Sequence, residues 1–247
     1  MVSSTSDTAF NTEQFDAIYP TGVERHYWNV CRNAVIAKYL RNEAPKGAIL
    51  EIGCGKGLVV AAMLELGMDI QGVELADVPV VAEAKDHVIV GKDVFDLDPK
   101  RFTAVRTVML LDVIEHLEDP VSFIRRIRSF LPAVSCILCT VPARQELFSD
   151  HDRFNHHFRR YDRDMLRAHM DPEGARGWSA SYFFHALYPA ALIQLRLKGD
   201  SGRRFTVPTS FVERIVHRTL GLGFRLEHSF LPSSWRGTSI IAVAMDR

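Results

Sequence analysis

The stretch 48–57 constrains what this sequence can fold into more than any other part of the chain. It reads Ala-Ile-Leu-Glu-Ile-Gly-Cys-Gly-Lys-Gly, an apolar run with one acid followed by glycine at three alternate positions. Such a run is typical of a buried strand in a parallel sheet. The apolar residues from Leu58 onward have helical spacing. The stretch therefore predicts a strand, a glycine loop and a helix, which together open a nucleotide-binding βαβ unit.

The spacing of the glycines separates two kinds of nucleotide site. The dinucleotide fingerprint G-x-G-x-x-G would need glycine at position 58, where this chain has leucine. Glu51 lies two residues before the first glycine, which gives E-x-G-x-G-x-G. This pattern resembles motif I of the class I S-adenosylmethionine-dependent methyltransferases. The resemblance implies a loop that wraps the methionine half of the cofactor, with contacts from Glu51, Gly53, Cys54, Gly55 and Gly57.

Acids follow two further predicted strands. Glu74 lies near the end of the run 70–75, seventeen residues after Gly57. A carboxylate at this place accepts hydrogen bonds from both ribose hydroxyls in dinucleotide folds. Asp93 follows the run 87–90, and the resemblance implies that it binds the exocyclic amine of adenine. Asp96 and Asp98 are nearby alternatives. The remaining cofactor contacts that the resemblance implies are Val94, Leu111, Asp112 and Arg32.

The resemblance becomes more specific after the predicted fourth strand, 107–111. Residues 112–120 read D-V-I-E-H-L-E-D-P, which resembles a signature of the branch containing the ubiquinone-biosynthesis O-methyltransferases and related bacterial small-molecule methyltransferases. Asp119 is expected to cap, and Pro120 to open, a helix that ends near Phe130. The motifs, acids and spacings together cover about residues 48–142.

The implied fold is α/β, a Rossmann-like doubly wound sheet of seven strands in the order 3-2-1-4-5-7-6 with the last strand antiparallel. Residues 1–47 are expected to form an N-terminal cap helix region, and 48–247 the methyltransferase domain. Its cofactor half is 48–142, and its acceptor-side half, 143–247, contains a helical insertion. Finer expectations are a frayed start at 1–12, helices at 23–41, 165–170, 185–197 and 210–220, a helix capped by Asp77, a polar insertion at 144–161 and a basic linker at 199–204.

Three histidines, His116, His156 and His157, are candidates for the catalytic base. Methyl transfer from a sulfonium needs a base only when the nucleophile must lose a proton, and histidine titrates near neutrality. His116 lies just past the fourth strand, and His157 opens an H-x-R-R-Y string that resembles one common after the fifth strand in this branch. A structural role for either histidine stays open. The expected acceptor contacts are Arg159, Tyr161 and Tyr27.

A metal site is the weaker alternative at the same place. Asp112, Glu115 and His116 stand at i, i+3 and i+4, so they would converge if they shared one helical turn. The string resembles the E-x-x-E-H of some ubiquinone-type O-methyltransferases, in which it is used with a divalent ion. Because Asp112 is one methylene shorter than glutamate, we expect no metal here.

Composition narrows the class of partner. The 247 residues carry zero net charge, with 47% hydrophobic and 24% charged residues, which indicates a soluble globule without a nucleic-acid surface. No apolar run reaches membrane-spanning length, so stable membrane insertion is not expected.

Cys136 and Cys139 are three apart in a predicted strand and should face opposite sides. Four unpaired cysteines and no signal peptide favour the cytoplasm. We expect a monomer or homodimer.

These features favour an S-adenosylmethionine-dependent methyltransferase acting on a small-molecule or glycolipid-like acceptor, with O-methylation expected. From residue 151 onward there are 15 Lys+Arg against 9 Asp+Glu, which indicates either solvated faces or a basic rim for an anionic acceptor. Two alternatives stay open. One is an NAD-dependent oxidoreductase, against which Leu58 argues. The other is a regulatory protein that binds S-adenosylmethionine without catalysis, because the sequence identifies no certain base.

Overall fold

The computed structural model describes residues 12–174, 176–198 and 207–246. Within these ranges one sheet has seven strands in the order β3-β2-β1-β4-β5-β7-β6. The strands are β1 (Ala48–Ile52), β2 (Ile70–Val73), β3 (Val88–Ile89), β4 (Val105–Leu111), β5 (Cys136–Pro142), β6 (Gly177–Phe183) and β7 (Ser239–Met245). β1 to β5 pair in parallel, and β7 is antiparallel to both of its neighbours. The predicted doubly wound sheet, its order and its antiparallel last strand are confirmed.

Eight α-helices flank the described sheet. They are α1 (Thr12–Ile18), α2 (Tyr27–Asn42), α3 (Leu58–Glu65), α4 (Pro120–Phe130), α5 (Asp150–Phe154), α6 (Arg163–Met170), α7 (Leu187–Lys198) and α8 (Phe211–Phe230). α4 and α6 pack on one face of the sheet, and α2 and α3 on the other. Among these helices we find none with the length and apolar character that crossing a bilayer requires.

Burial on both faces explains the apolar strands. All five residues of β1 are buried, with Leu50 packed in the core on one face and Ile49 in the core on the other. The same alternation separates Cys139 from Cys136, which lie in these two opposite cores. The prediction that the C-x-x-C pair faces two sides of a strand is therefore confirmed.

The structure changes two predicted helix boundaries. α2 begins at Tyr27 rather than at residue 23, because His26 is extended (φ −67°, ψ 138°) and its ring accepts a hydrogen bond from the Trp28 amide. α8 continues to Phe230, ten residues beyond the predicted end at residue 220. Two glycines in its middle made the helix look shorter, but packing against α2 carries it through them.

One predicted cap is wrong. Asp77 does not begin a helix, because the next helical segment is the 3-10 turn Ala82–His87, whose N-cap is Val81. Asp162 caps α6, whose first residue is Arg163. The cap at Asp119 and the helix start at Pro120 are as predicted. The predicted frayed start, apart from Thr12, and the predicted linker at 199–204 lie outside the described residues.

The polar insertion 144–161 is tied to the carboxyl edge of the sheet. The Phe158 amide donates to the Glu115 carbonyl (2.8 Å) in the loop after β4, and the Tyr161 amide donates to the Pro142 carbonyl (2.9 Å) at the end of β5. Gln14 of α1 donates to the Phe154 carbonyl (2.8 Å). The insertion and the N-terminal helix therefore meet above the edge where ligands bind in open α/β sheets.

The packing of α8 on α2 gives a matched pair of glycine substitutions. A Cβ on Gly221 would lie 2.8 Å from Val30 Cγ1 and 2.9 Å from Val30 Cβ, whereas a Cβ on Gly223 would meet no atom within 4 Å. We expect Gly221→Ala to lower the free energy of unfolding by ~1–2 kcal/mol through overpacking. Gly223→Ala should raise it by ~0.5–1 kcal/mol through helix propensity. Urea unfolding checks both, and equal effects would contradict this packing.

Candidate active site

A cavity of about 960 Å³ opens where β1, β2 and β4 end. Its wall combines residues from the glycine loop, from the loops after β2, β3 and β4, from the insertion, and from α2, α7 and α8. The predicted site residues that line it are Gly53, Gly55, Glu74, Asp93, Val94, Leu111, Asp112, Arg32, Tyr27, His116 and His157. The fold thus brings most of the predicted cofactor residues and two of the three candidate histidines to one place, whereas His156 is exposed and lies outside the cavity wall.

The glycine loop presents bare backbone to this cavity. Gly53, Gly55 and Gly57 have φ of 76°, 55° and 78°, in the left-handed region that disfavours side chains. Tyr19 lies directly over the loop, and a Cβ on Gly55 would collide with its hydroxyl. Tyr19 is one of the residues that the sequence reasoning missed, because the segment before α2 carries no motif.

Glu74 holds the glycine loop in place. It follows β2 directly, and its Oε2 accepts from the Gly55 amide (2.8 Å) while its Oε1 accepts from the Ala76 amide (2.9 Å). Burial raises the pKa of Glu74, and these backbone hydrogen bonds act in the opposite direction. Each carboxylate oxygen has a second lone pair, so the predicted bonds to ribose hydroxyls are compatible with these contacts.

Glu51 is a buried acid in the middle of β1. Its side chain does not line the cavity, and its Oε2 has no hydrogen-bond partner among the described residues. Burial raises the pKa of Glu51 to about 8; Arg32 lowers it, and the acids Glu74 and Asp112 raise it further. A buried carboxyl with an unsatisfied oxygen is costly unless a ligand compensates it. The arrangement fits a cationic group, such as the ammonium in the methionine half of the cofactor, which the resemblance places along this loop.

Asp112 and Arg32 form an ion pair at the cavity wall. Arg32 Nη2 lies 2.5 Å from Asp112 Oδ2 and also donates to Thr140 Oγ1 (3.3 Å) on β5. Asp112 has φ 57°, which aspartate tolerates better than most residues. The chain turns here, before the 3-10 segment Ile114–His116 begins. The assumption that Asp112, Glu115 and His116 share one helical turn is therefore wrong, and the Asp112 carboxylate is paired with Arg32 instead.

A different trio converges beside that turn. One ligand atom each from Glu115, His116 and His157 lies within 4.8 Å of the others. Glu115 is fully buried, and neither of its carboxylate oxygens has a hydrogen-bond partner among the described residues. Burial raises the pKa of Glu115 well above its ordinary value. Burial, and then the neighbouring His157, lower the pKa of His116 to about 3. These three side chains have the donor types that hold a divalent cation.

His157 is oriented by a buried acid that the sequence reasoning missed. Its Nδ1 lies 2.8 Å from Asp152 Oδ1, and Arg160 Nε lies 2.9 Å from the same oxygen. The Ser149 amide donates to Asp152 Oδ2 (2.8 Å). Burial alone would raise the pKa of Asp152, but the bonds from His157 and Arg160 hold it well below its ordinary value. Because an ionised carboxylate only accepts, Nδ1 of His157 carries the proton and Nε2 is the acceptor.

The residues around Asp93 form a part of the cavity that suits a planar nucleobase such as adenine. Asp93 Oδ1 accepts from the Phe95 amide (3.0 Å), which starts a 3-10 turn at Val94. The Arg126 guanidinium lies 3.7 Å from the centre of the Phe95 ring. Phe95 and Arg126 line the cavity but were not predicted. Neither residue belongs to a recognisable sequence motif, and only the folded chain brings them together, so the sequence could not predict this contact.

Five predicted residues lie outside the cavity wall: Glu51, Cys54, Gly57, Arg159 and Tyr161. Tyr161 is fully buried and its hydroxyl donates to the Ile114 carbonyl (3.3 Å). Arg159 donates to the Glu118 carbonyl (3.0 Å). Cys54 packs toward Gly72 of β2. The predicted contacts of Arg159 and Tyr161 with an acceptor stay predictions, and the geometry favours supporting roles for both.

Comparison with known proteins agrees with this geometry. Residues 24–181, more than half of the chain, match the protein family described as a methyltransferase domain. Over 115 residues the chain is 26% identical to the ubiquinone biosynthesis O-methyltransferase of Stutzerimonas stutzeri. That match covers 42% of this chain and 44% of the relative, so the chain matches less than half the length of this curated protein.

Two solved structures share the fold. A SAM-dependent methyltransferase from Archaeoglobus fulgidus superposes with a TM-score of 0.53 at 17% identity, covering 87% of this chain and 93% of that one. The phosphoethanolamine N-methyltransferase 2 of Haemonchus contortus, solved with S-adenosyl-L-methionine, superposes with a TM-score of 0.54 at 16% identity. It covers 94% of this chain and 56% of that one. At such identities the likeness concerns the fold.

The glycine loop can be tested with two alanine substitutions at positive φ. Gly55→Ala would force a Cβ against Tyr19, whereas a Cβ on Gly67 (φ 75°) would meet nothing within 4 Å. We expect Gly55→Ala to weaken binding of S-adenosylhomocysteine at least about tenfold, or ~1.4 kcal/mol. Gly67→Ala should leave the affinity unchanged. Calorimetric titration measures both, and wild-type affinity in Gly55→Ala would mean that this loop does not hold the cofactor.

The buried Glu51 predicts a pH-dependent stability. Because burial raises its pKa from 4.5 to about 8, the folded protein keeps a proton that the unfolded chain releases. The stability contributed by Glu51 is therefore lost as the pH rises from 4.5 to 8, by up to ~1.4 kcal/mol per pH unit. Unfolding of the wild type and of Glu51→Gln by urea across this range should show a growing advantage for the variant. A constant difference would contradict the account, and the exposed Glu65→Gln is the control.

Proposed function

The chain belongs to the family of class I S-adenosylmethionine-dependent methyltransferases, and we propose that it methylates a hydroxyl oxygen of a small amphiphilic or glycolipid-like acceptor. The observation that carries the proposal is the pair of His157 and buried Asp152 at the wall of the cavity. A hydroxyl nucleophile must lose a proton during methyl transfer, and this pair is arranged to accept one. The match to an O-methyltransferase supports the same reaction.

The cofactor half of the cavity, within 48–142, would hold S-adenosylmethionine, which supplies a methyl group on a sulfonium. Glu74 would bind the ribose hydroxyls and Asp93 the adenine amine, while the glycine loop lies along the methionine part. The positive charge of the ammonium would lower the raised pKa of Glu51, so that the ionised carboxylate offsets this charge. Three observations support these assignments: the unsatisfied buried oxygen of Glu51, the exposed backbone of the glycine loop and the position of Glu74 at the end of β2. Each fits a part of S-adenosylmethionine.

The proton path uses three side chains. The acceptor hydroxyl would give its proton to Nε2 of His157 as its oxygen bonds to the methyl carbon and the bond from that carbon to the sulfonium sulfur breaks, so that S-adenosylhomocysteine leaves. Asp152 holds Nδ1 of the same ring and stabilises the imidazolium that forms, as in other histidine–aspartate pairs. His116, whose pKa is lowered to about 3, remains neutral at physiological pH. It therefore adds no positive charge beside the protonated His157.

The other side of the cavity supports an acceptor with an apolar part. Leu187, Ala190 and Ala191 of α7 line it, together with Tyr27 at the start of α2 and His217 of α8. Mostly apolar walls with a few polar groups suit a ligand of mixed character. All four cysteines are buried and free, which supports our proposal that the protein works in the reducing cytoplasm, as a monomer or homodimer.

A second mechanism, in which a divalent cation activates the acceptor, rests on a different observation. Glu115, His116 and His157 are close enough to share a divalent cation, and both oxygens of Glu115 lack a protein partner within the described chain. A cation held there would lower the pKa of an acceptor hydroxyl and replace the histidine base. Turnover that falls on chelation and returns with Mg²⁺ or Zn²⁺ would favour this mechanism. Turnover that is insensitive to chelation would favour His157 as the base.

If His157 is the base, replacing it should lower turnover and leave the affinity for the cofactor product unchanged. With labelled cofactor and a panel of phenolic and glycolipid acceptors, His157→Ala should lower kcat by ~10²–10⁴-fold, the usual contribution of a base. Its affinity for S-adenosylhomocysteine should stay within about threefold of the wild type, a difference under ~1 kcal/mol. The neighbouring His156 is exposed and does not line the cavity, so His156→Asn is the matched control.

Other outcomes decide between the alternatives. Normal turnover by His157→Ala would show that this histidine is not the base. Tight cofactor binding without methylation of any acceptor in the panel would favour a regulatory protein over an enzyme.

A further inference from the structure

α8 exposes an unusually apolar surface. Seven of its large apolar side chains lie on the side that faces away from the protein, and we call them the outer face. Phe211 is 77% exposed and Phe230 is 81% exposed, at the two ends of the helix. The outer face consists of Phe211, Val212, Ile215, Val216, Leu222, Leu226 and Phe230. A continuous apolar surface of this kind marks an interaction site more often than a solvated one.

The inner side of the same helix already has its partner. His217, Gly221, Phe224 and His228 follow one another at helical spacing, and they pack against α2 and β6. At 100° per residue the outer face is centred opposite this inner row. The apolar residues of the outer face therefore do not contribute to the core of the described domain, and a different partner must account for them.

Charge is distributed asymmetrically around the outer face. Arg214, Arg218 and Arg225 are exposed and lie along one edge of it. The two acids of the helix form hydrogen bonds within the protein: Glu213 closes the capping box with Ser210, and Glu227 accepts from the two backbone amides just before α7. The surface is thus apolar in the middle with a row of cations at one edge.

We propose that the outer face of α8 binds the surface of an anionic lipid bilayer. Apolar side chains would enter the boundary between headgroups and acyl chains, while the arginines contact lipid phosphates, as in other interfacial amphipathic helices. Arginines near a negatively charged leaflet add to the attraction, whereas a neutral bilayer offers only the apolar term.

The position of α8 relates this surface to the cavity. His217 of α8 lines the cavity, as do Leu187 and Ala191 of α7. α7 also exposes two large apolar side chains, Ile193 at 56% and Leu197 at 78%. Docking through α8 would keep the cavity wall near the bilayer, where an amphiphilic acceptor would be found. This last step rests on the proposed function, whereas the binding of lipid does not.

A second copy of the chain is the competing occupant. A two-fold antiparallel pairing of the outer faces would place the arginine edge of one copy beside the arginine edge of the other. Like charges brought together in this way oppose association. A bilayer containing anionic lipid satisfies the same row of cations, so the charge pattern favours lipid.

Sedimentation of the full chain with lipid vesicles tests the proposal. We expect the protein to pellet with vesicles of phosphatidylcholine and phosphatidylglycerol, at least about tenfold more tightly than with pure phosphatidylcholine, and to be released by added salt. Leu222→Glu with Leu226→Glu should abolish pelleting. Leu66→Glu is the control, since Leu66 is 44% exposed at the C-terminal end of α3 and is not part of the outer face.

Charge reversal gives a second, independent pair of variants. Arg218→Glu with Arg225→Glu should weaken binding to the anionic vesicles at least about tenfold while leaving the apolar face intact. Arg101→Glu, an exposed arginine in the turn Pro99–Phe102, should have no effect. Neither variant pair includes a residue of the cavity, so affinity for S-adenosylhomocysteine should be unchanged and reports on folding.

Each remaining outcome is decisive. Absence of pelleting by the wild type, or equal pelleting with neutral and anionic vesicles, would overturn the proposal. So would pelleting that survives both variant pairs. A dimer in sedimentation velocity that dissociates in the double leucine variant would assign the face to a second copy. Vesicle binding by a protein that fails to bind S-adenosylhomocysteine would contradict the proposed function and leave this proposal standing.

Discussion

The hydrogen bond from the Gly55 amide to the Glu74 carboxylate holds together the part of the structure on which the rest of the site depends. It joins the loop after β1 to the end of β2, two neighbouring parallel strands. The loop can reach the carboxylate only because its glycines adopt positive φ, where side chains would be strained. One acid therefore fixes the shape of the loop and also lines the cavity.

The turn after β4 determines where the polar side chains on the acceptor side of the cavity lie. Asp112, in the left-handed region, directs its carboxylate to Arg32 of α2, and the next four residues bring Glu115 and His116 toward the insertion. His157 comes to the same place because the insertion is anchored to the Glu115 carbonyl and to the end of β5. The orientation of His157 then depends on Asp152, whose burial makes its hydrogen bonds strong.

The sequence predicted the parts of this structure that local spacing determines. Strand, loop and helix at 48–65, the strand-end acid Glu74 and the cap at Asp119 all follow from short-range patterns, and they are where expected. The family resemblance supplied the strand order, which no local pattern contains. Asp152 was missed because its contacts to His157 and Arg160 arise only after the insertion folds. The end of α8 was misplaced because α2 supports a helix that its glycines would weaken in isolation.

Titration of the wild-type protein with S-adenosylhomocysteine and with NAD is the most direct test of the account. The central claim is that the glycine loop and the strand-end acids form a site for S-adenosylmethionine and not for a dinucleotide. The account predicts that S-adenosylhomocysteine binds at one site per chain with a measurable heat, and that NAD at the same concentrations does not bind. Binding of NAD, or no binding of S-adenosylhomocysteine by the folded protein, would contradict it.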